Sequence, residues 1–181
     1  MPEFIQNVLD PVQLIGYAGT AFALISYQCK KNKSYFLFQM GCAIAFTVQF
    51  FLLSSWAGML LNLFSVIRGV ILAIDNHRKP HAMLVLILLS YFVSCLSATL
   101  FFGEKWWIAL LLFTAQLTGT FAMWSRNGKV IRLTQLFIGS PLWIVNNVYY
   151  FSIGGILCET FNMCSVIISF IRFRKTGFDK S

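Results

Sequence analysis

Residues 82–102 read AMLVLILLSYFVSCLSATLFF and contain no charged side chain. A helix of about 20 apolar residues is long enough to cross the hydrocarbon core of a bilayer, so this stretch predicts a membrane-spanning helix. The whole chain has the same character, because 58% of its 181 residues are hydrophobic and only 11% are charged. Soluble domains carry about 25% charged residues. The composition therefore predicts an all-α polytopic membrane protein.

Six further stretches have the length and polarity of membrane spans. The seven predicted spans are residues 12–28, 35–53, 57–74, 82–102, 106–125, 130–151 and 156–173. Nearly all lysines and arginines fall on one side of this arrangement, and the other side receives only Lys105. Positive charge collects on the cytoplasmic side, so we predict an outside N terminus and a cytoplasmic C terminus. The net charge of +8 is then a topology signal, and nucleic acid is not a predicted partner.

Two similar peptides lie one hundred positions apart, since residues 62–67 read NLFSVI and residues 162–167 read NMCSVI. The Gly-Thr pair at 19–20 likewise recurs at 119–120. Chance similarity between apolar helices is one explanation, but topology and loop charge repeat as well. We predict two parallel three-helix bundles joined by a linker helix, a 3+1+3 arrangement. The predicted units are a first repeat at 1–74, a linker with the fourth span at 75–105, and a second repeat with a basic tail at 106–181.

Asn62 and Asn162 head the two repeated peptides inside apolar spans, where no water is present to bond a side-chain amide. Ser65 and Ser165 follow one turn later on the same helix faces. One hypothesis is structural: small residues on these faces allow close packing, and the amides bond a neighbouring helix. The other hypothesis, which we favour, is that the two faces meet across a cavity where the amides bind a small polar ligand. The two hypotheses can also both be correct, if the glycines pack against neighbouring helices and the asparagines point into the cavity.

Span six carries a dense group of polar and aromatic residues. Trp143 and Asn147 are four positions apart and share a helix face, with Asn146 on the neighbouring face. Gln49 is the counterpart of Asn147 in the first repeat. An aromatic ring beside amides suits a flat or hydroxylated ligand, which would stack on the ring and form hydrogen bonds with the amides. Packing between helices is the alternative explanation for the same residues. Pro141 lies well inside this span and is expected to kink it.

Glu159 is the one carboxylate inside a predicted span, where exposure to lipid would be expensive. It is predicted to bind substrate or carry a proton, or else to cap the outer end of its helix. Arg68 is expected mainly to extend its charged end toward the cytoplasmic surface, with lining of the inner cavity mouth as the alternative.

The sequence contains no phosphate-binding loop, serine elbow or paired intramembrane carboxylates, so we predict neither an enzyme nor a cofactor. Asp75, His77 and His81 share a proline-containing loop and make a weak metal candidate, so no metal is predicted. The predicted partners are a small-molecule substrate and the lipid bilayer, and a homo-oligomer is compatible with the sequence. All five cysteines are predicted to be free thiols. They are Cys29, Cys42, Cys95, Cys158 and Cys164.

The chain resembles the PQ-loop, or SWEET-like (MtN3-like), transporter superfamily. In that superfamily a Pro-Gln pair closes the first helix of a repeat and Lys-Ser follows. Here Tyr27-Gln28 and Lys33-Ser34 keep the glutamine and the Lys-Ser without the proline, and residues 126–127 read Arg-Asn at the second place. Length and overall sequence also resemble the bacterial inner-membrane YgjV family over nearly the whole chain. This resemblance implies a multi-pass protein of the bacterial inner (plasma) membrane, with the two span asparagines facing a central cavity.

The predicted function is transport of a small polar metabolite by alternating access, either passive or driven by an ion gradient. The resemblance implies a sugar, an amino acid or a vitamin- or nucleoside-like solute. A non-transporting receptor or interaction protein on the same scaffold is the alternative. The predicted substrate-binding residues are Asn62, Asn162, Trp143, Asn146, Asn147, Gln49, Glu159, Ser65 and Ser165.

Overall fold

The computed structural model describes residues 10–74 and 81–172, and every regular element within them is helical. In chain order these elements are α1 (Pro11–Gln28), α2 (Asn32–Leu52), α3 (Trp56–Ala73), α4 (His81–Phe102), α5 (Trp106–Trp124), α6 (Gly128–Thr134), a π-helical segment (Gln135–Gly139), α7 (Ser140–Tyr149) and α8 (Ile153–Arg172). The prediction of an all-helical protein is confirmed. Predicted span edges and helix ends agree to within three residues. The weak metal candidate at Asp75 and His77 and the basic tail from residue 173 lie outside the described residues.

Five helices, α2, α3, α4, α5 and α8, are long and apolar enough to cross a membrane. They contain 18 to 22 residues each, which matches the thickness of a bilayer core at about 1.5 Å per residue. The fourth predicted span is the clearest of them, because α4 covers the whole charge-free stretch at residues 82–102. Several membrane-spanning helices are therefore present, and the count of seven stays a prediction.

The distribution of polarity is the reverse of that in a soluble domain. Leu100 and Phe101 are 67% and 79% exposed, whereas Gln49, Thr120 and Asn146 are completely buried. Lipid surrounds apolar surface at no cost, but it offers no hydrogen bonds to an amide or a hydroxyl. The observed burial pattern is therefore the one expected for helices surrounded by lipid.

Helices α1 and α8 run parallel and in close contact. Gln13, near the start of α1, donates from Nε2 to the carbonyl of Phe151 just before α8, at 3.4 Å. Gln28, at the end of α1, donates to Ser165 Oγ late in α8, at 2.7 Å. The start of α1 contacts the start of α8, and the end of α1 contacts the later part of α8. The two helices therefore point in the same direction. This contact joins the first and the last helix of the described chain.

The backbones of α1 and α8 touch at a pair of glycines near the start of α8. A Cβ atom placed on Gly154 would lie 2.9 Å from the Cα of Gly16. The carbonyl of Gly154 accepts a hydrogen bond from Thr20 Oγ1 at 3.1 Å, and its N–H donates to Gln13 Oε1 at 3.1 Å. Only a residue without a side chain allows this approach. Residues 16 and 154 are thus part of the seam between α1 and α8.

Arg132, in α6, forms hydrogen bonds with the other end of α1 and α8. Its Nε donates to Ser169 Oγ at 3.0 Å, and Nη1 donates to the carbonyl of Gly128 at 3.1 Å. Its Nη2 donates to the carbonyls of Tyr27 and Cys29, both at 3.1 Å. The last carbonyls of a helix have no partner within that helix, so the guanidinium satisfies the end of α1. One side chain therefore connects α1, α6 and α8.

Glu104, in the turn between α4 and α5, connects three other elements. Its Oε2 accepts from the backbone N–H of Ala57 at 2.6 Å, near the start of α3, and its Oε1 accepts from Tyr150 Oη at 2.9 Å. The first N–H groups of a helix lack partners within the helix and carry partial positive charge, so a carboxylate is well suited to that place. Burial raises the pKa of Glu104, while the bonds from Ala57 and Tyr150 act in the opposite direction.

The raised pKa of Glu104 predicts a pH-dependent contribution to stability. The folded protein holds the carboxyl proton more tightly than the unfolded chain, so this contribution is fully present below the ordinary glutamate pKa of about 4.3. It is lost as the pH rises through the higher folded pKa. We expect the thermal midpoint of wild type, relative to Glu104→Gln, to fall as the pH is raised from about 4 toward neutrality. A relative midpoint that rises with pH, or does not change, would contradict this assignment.

Candidate functional site

A polar cavity of about 80 Å³ lies between the helices. Its lining comes from α1, α2, α3, α5, the π-helical segment, α7 and α8, and therefore from both predicted repeats. An ordered water needs about 10–15 Å³ of such space, so several waters or a small solute would fit. Among the described residues, α4 contributes none of the lining. The polar lining residues are Tyr27, Gln39, Asn62, Ser65, Arg68, Gln116, Gln135, Asn147, Glu159 and Asn162.

Six of the nine predicted substrate-binding residues line this cavity, and three do not. Those that line it are Asn62, Ser65, Trp143, Asn147, Glu159 and Asn162. Those that do not line it are Gln49, Asn146 and Ser165. The structure thus brings the two repeated asparagines to one cavity, together with the carboxylate and the tryptophan.

The three remaining predicted residues are buried in helix contacts. Gln49 donates to Gln13 Oε1 at 3.3 Å and packs against Gly16, so it belongs to the seam between α1 and α8. Ser165 accepts a hydrogen bond from Gln28 and serves the same seam further along. Asn146 is fully buried, and successive helical residues point about 100° apart, which turns it away from the face of its neighbour at 147.

The side-chain amides of Asn62 and Asn162 form their hydrogen bonds within their own helices. Asn62 Nδ2 donates to the carbonyl of Gly58 at 2.8 Å. Asn162 Nδ2 lies 3.5 Å from both Cys158 Sγ and Glu159 Oε2. The structural hypothesis requires that the amides bond a neighbouring helix. Neither amide does so in these contacts. The two amides therefore lie on the cavity lining, and these hydrogen bonds do not connect one helix to another.

The glycines of the same stripe on α3 do pack closely against α2. A Cβ on Gly58 would lie 3.1 Å from the ring of Phe50, and one on Gly69 would lie 3.2 Å from Met40 Cβ. Distances this short mean that a larger residue would push the helices apart. Both hypotheses for this stripe therefore apply, to different residues: the glycines allow packing, and the asparagine lines the cavity.

Glu159 lies on the lining beside the π-helical segment. Its Oε2 accepts a hydrogen bond from Gln135 Nε2 at 3.2 Å, and Asn162 is its neighbour one turn later. Gln135 also donates to Ser140 Oγ at 3.1 Å. Glu159 comes six residues after the start of α8, beyond the first turn whose N–H groups need a cap. Its contacts favour the cavity role over the capping role.

The π-helical segment sits directly before Pro141. Proline has no N–H and cannot complete the α-helical bond to the carbonyl four residues earlier. The N–H of Ser140 instead reaches the carbonyl of Gln135, five residues back. The predicted disturbance at Pro141 is therefore present as a π-turn, a feature that is frequent at functional sites. Gly139 lies beside the Gln135 amide, and a Cβ there would be 2.7 Å from its Oε1.

The indole of Trp143 already has an aromatic neighbour. It stacks on the ring of Phe50, with 5.7 Å between ring centroids and 22° between planes. Phe50 in turn stacks on Phe46 at 5.8 Å. One face of the indole is thus covered by protein, which restricts the predicted stacking of a ring-bearing ligand to the opposite face or the edge.

Arg68 does not extend to the membrane surface, so the main expectation for it was wrong. Its side chain is 7% exposed and lines the cavity. Nη1 donates to Gln116 Oε1 at 3.1 Å and to Thr120 Oγ1 at 2.8 Å, and the guanidinium lies 6.0 Å from the ring centre of Tyr91. Ser65 Oγ lies 3.2 Å from the same Gln116 oxygen. Polar partners on α5 hold the side chain inside the bundle.

Three glutamines on the lining were absent from the predicted site, namely Gln39, Gln116 and Gln135. Each is an amide within an apolar span, and that isolation is the signal that singled out the asparagines. They lie outside the repeated peptides at 62–67 and 162–167 and outside the polar group around Trp143. The isolation of each amide in its apolar span is therefore the one signal that could have found them.

Three buried polar atoms on the lining have no hydrogen-bond partner within the described ranges. They are Arg68 Nε, Asn147 Oδ1 and Asn162 Oδ1. A buried polar atom without a partner costs about 1–3 kcal/mol, so such atoms call for a ligand, an ion or water. All five cysteines are free thiols, as predicted. Residues 10–74 and 81–172 contain no group of three or more His, Cys, Asp or Glu side chains suited to a metal ion.

These features define a class: a polytopic helical membrane protein with a polar cavity between its helices. The chain belongs to the Imp-YgjV family, described as bacterial inner membrane protein, which matches residues 11–177. The predicted resemblance to the YgjV family is thereby confirmed, and the protein is a multi-pass protein of the bacterial inner membrane. No curated protein and no solved structure matches the chain.

Proposed function

We propose that this protein carries a small polar metabolite across the bacterial inner membrane by alternating access. The observation that carries the proposal is the polar cavity between the helices, with Asn62 from α3 and Asn162 from α8 on one lining. Buried polar groups in a membrane protein are expensive and usually mark a substrate or ion pathway. Arg68 Nε, Asn147 Oδ1 and Asn162 Oδ1 lie on this lining without a partner among the described residues, which supports a ligand there.

We further propose that the chain has seven spans in a 3+1+3 arrangement of the PQ-loop or SWEET-like type, with the N terminus outside. The parallel direction of α1 and α8, and the joint contribution of both halves to the cavity, support this arrangement. In such a protein the two halves rock about a central site, which opens first to one side and then to the other. The polar lining is then exposed to each side in turn.

The groups on the lining can bind a solute but do not form a reaction centre. Amide, hydroxyl and guanidinium groups donate and accept hydrogen bonds, and Glu159 can bind a cation or a proton. We propose that transport is passive or coupled to an ion gradient, and that the protein is not an enzyme. With Gln135 and Asn162 as its neighbours, Glu159 is the residue through which a proton would be coupled.

The proposal predicts a large loss of uptake when both asparagines are removed. Purified protein in liposomes is assayed with labelled amino acids, sugars and nucleosides, and the Asn62→Ala/Asn162→Ala variant is compared with wild type. Each lost hydrogen bond to a ligand costs about 1 kcal/mol, so KM should rise about tenfold or more. Thr160→Ala is the matched control, because Thr160 lies on α8, is exposed, and bonds only the carbonyl of Ile156 in the same helix.

The same assay separates the alternatives. A solute that stabilises the purified protein but never enters the liposomes would favour the non-transporting receptor. Uptake that is equal in wild type and in the double variant would contradict the proposed binding site and leave transport standing. The control variant should match wild type in both binding and uptake.

A further inference from the structure

Arg68 brings a positive charge to the cavity wall, and its hydrogen-bond partners among the described residues carry no negative charge. Nη1 uses its hydrogens on Gln116 and Thr120, which are both neutral. The Nε hydrogen has no partner in the described part of the chain, although the side chain is more than nine-tenths buried. The edge of the guanidinium that holds Nε and Nη2 is the edge that grips a carboxylate through two parallel hydrogen bonds. That edge is therefore left for a ligand.

The position of the guanidinium suits a ligand in the middle of the cavity. Side chains on a helix lean toward its N terminus, so Arg68 reaches back toward the preceding turn. The oxygen of Gln116 that it bonds also lies 3.2 Å from Ser65 Oγ, one turn earlier on α3. Gln116 and Thr120 thus hold the charged end at the level of Ser65 and fix its orientation. A donor group that is fixed in this way loses little entropy when a ligand binds.

The opposite chemistry is present on α8. The carboxyl group of Glu159 lines the same cavity, and Asn162 Oδ1 is a buried acceptor without a partner among the described residues. Asn162 turns its Nδ2 toward Glu159 at 3.5 Å. The carboxylate and the Asn162 oxygen are both acceptors on the lining, and they suit an ammonium group, which has three hydrogens to donate and accepts none. One wall therefore offers a cation and the other offers acceptors.

We infer that the transported solute is a small zwitterion of the α-amino-acid type, with its carboxylate bound by Arg68 and its ammonium group bound by Glu159 and Asn162. This inference rests on the proposed transport function and narrows its substrate class. A sugar or a nucleoside offers the guanidinium only neutral acceptors and leaves the buried charge without a counter-charge, which is costly. A simple carboxylic acid pairs Arg68 and leaves the acceptors on α8 without a donor.

The size of the cavity limits the side chain of the solute. About 80 Å³ is roughly half of an engineered cavity of about 150 Å³ that accepts benzene. Benzene and alanine have the same number of non-hydrogen atoms, so this space excludes aromatic amino acids and favours the smallest ones. The covered face of Trp143 also leaves little room for a further ring. Glycine and alanine are the best candidates.

The test is a set of ligands matched to alanine and applied to wild-type protein. Labelled alanine is taken up into liposomes in competition with unlabelled alanine, propionate and alaninamide. Propionate keeps the carboxylate and lacks the ammonium group, whereas alaninamide keeps the ammonium group and lacks the carboxylate. We expect both to compete at least about tenfold more weakly than alanine, the ratio that about 1.4 kcal/mol produces. A thermal-shift series with the same compounds reports binding independently of transport.

Variants of Arg68 locate the carboxylate end of the ligand. Arg68→Gln should weaken alanine binding at least about tenfold, and Arg68→Lys should weaken it less, because lysine keeps a point charge without the planar fork. Arg126→Gln is the control that removes the same charge outside the cavity lining, and its alanine affinity should equal that of wild type. Arg126 donates to the carbonyl of Leu72, near the end of α3.

Each outcome decides between the two proposals. Alaninamide competing as well as alanine would overturn the carboxylate contact at Arg68, and propionate competing as well would overturn the ammonium contact on α8. Uptake of a sugar or a nucleoside that is unaffected by Arg68→Gln would overturn the zwitterion and leave transport intact. Uptake of no amino acid, sugar or nucleoside would count against both. If Arg68→Gln does not fold, the wild-type ligand series still gives the answer.

Discussion

Replacing Arg132 with methionine is expected to lower the free energy of unfolding by about 3 kcal/mol. The substitution removes four hydrogen bonds, to Ser169 and to the carbonyls of Gly128, Tyr27 and Cys29. A hydrogen bond from a charged donor contributes about 1.5–3 kcal/mol in soluble proteins, and bonds inside membrane proteins average less, near 0.6 kcal/mol. Methionine keeps most of the apolar stem, so the loss reports the guanidinium and not the packing.

The measurement is the thermal midpoint of the detergent-purified protein. For a chain of this size about 1 kcal/mol corresponds to about 2–4 °C, which predicts a drop of about 6–12 °C. Arg132→Lys is the control, because it keeps the charge and can serve one or two carbonyls but not four partners on three helices. The thermal midpoint of Arg132→Lys should fall between that of wild type and that of Arg132→Met. A midpoint for Arg132→Met within about 2 °C of wild type would mean that water replaces the guanidinium at the end of α1.

Replacing Gly154 with alanine should also destabilise the protein, by about 2–3 kcal/mol. The new Cβ would lie 2.9 Å from Cα and 3.0 Å from the carbonyl carbon of Gly16, and these backbone atoms cannot rotate away. Helices α1 and α8 must move apart, which weakens the bonds from Thr20 and to Gln13. Overpacking costs about 1–3 kcal/mol and exceeds the gain of about 1 kcal/mol that alanine gives over glycine in a helix.

Gly119→Ala is the matched control, and its effect should have the opposite sign. No atom lies within 4 Å of a Cβ placed on Gly119, so the substitution brings helix propensity without a clash. It should raise stability by about 0.5–1 kcal/mol. The pair is compared in one thermal-unfolding series in the same detergent. Equal midpoints for the two variants would show that α1 and α8 separate freely at residue 154.

The helices of this protein could be predicted from the sequence because each needs only local information. A run of apolar residues such as 82–102 is sufficient, and every predicted edge in the described ranges lies within three residues of a helix end. The similar peptides at 62–67 and 162–167 singled out Asn62 and Asn162, and both residues line one cavity. What was predictable therefore depended on local pattern and on the similarity of two peptides.

The remaining features depend on contacts between distant segments. Whether Arg68 reaches the surface or the interior is decided by Gln116 and Thr120, which lie in another helix. Gln49 resembles the cavity residues by composition, yet Gln13 supplies it with a partner in a helix contact. No local rule distinguishes an amide that faces a cavity from one that faces a neighbouring helix, because both are buried and polar. The π-turn is similar, since Pro141 predicted a disturbance but not its form.

The π-turn before Pro141 has a consequence for how this site changes in evolution. Such a turn holds one residue more than an α-helical turn, so loss of a single residue between positions 135 and 139 would restore a continuous helix. The part of the helix before the deletion would then rotate by about 100° relative to the part after it. Gln135 would leave Glu159, although no lining residue had been exchanged for another. In this family the chemistry of the cavity can therefore diverge through insertions and deletions as well as through substitutions, and a gap at this place in an alignment would separate proteins with different sites.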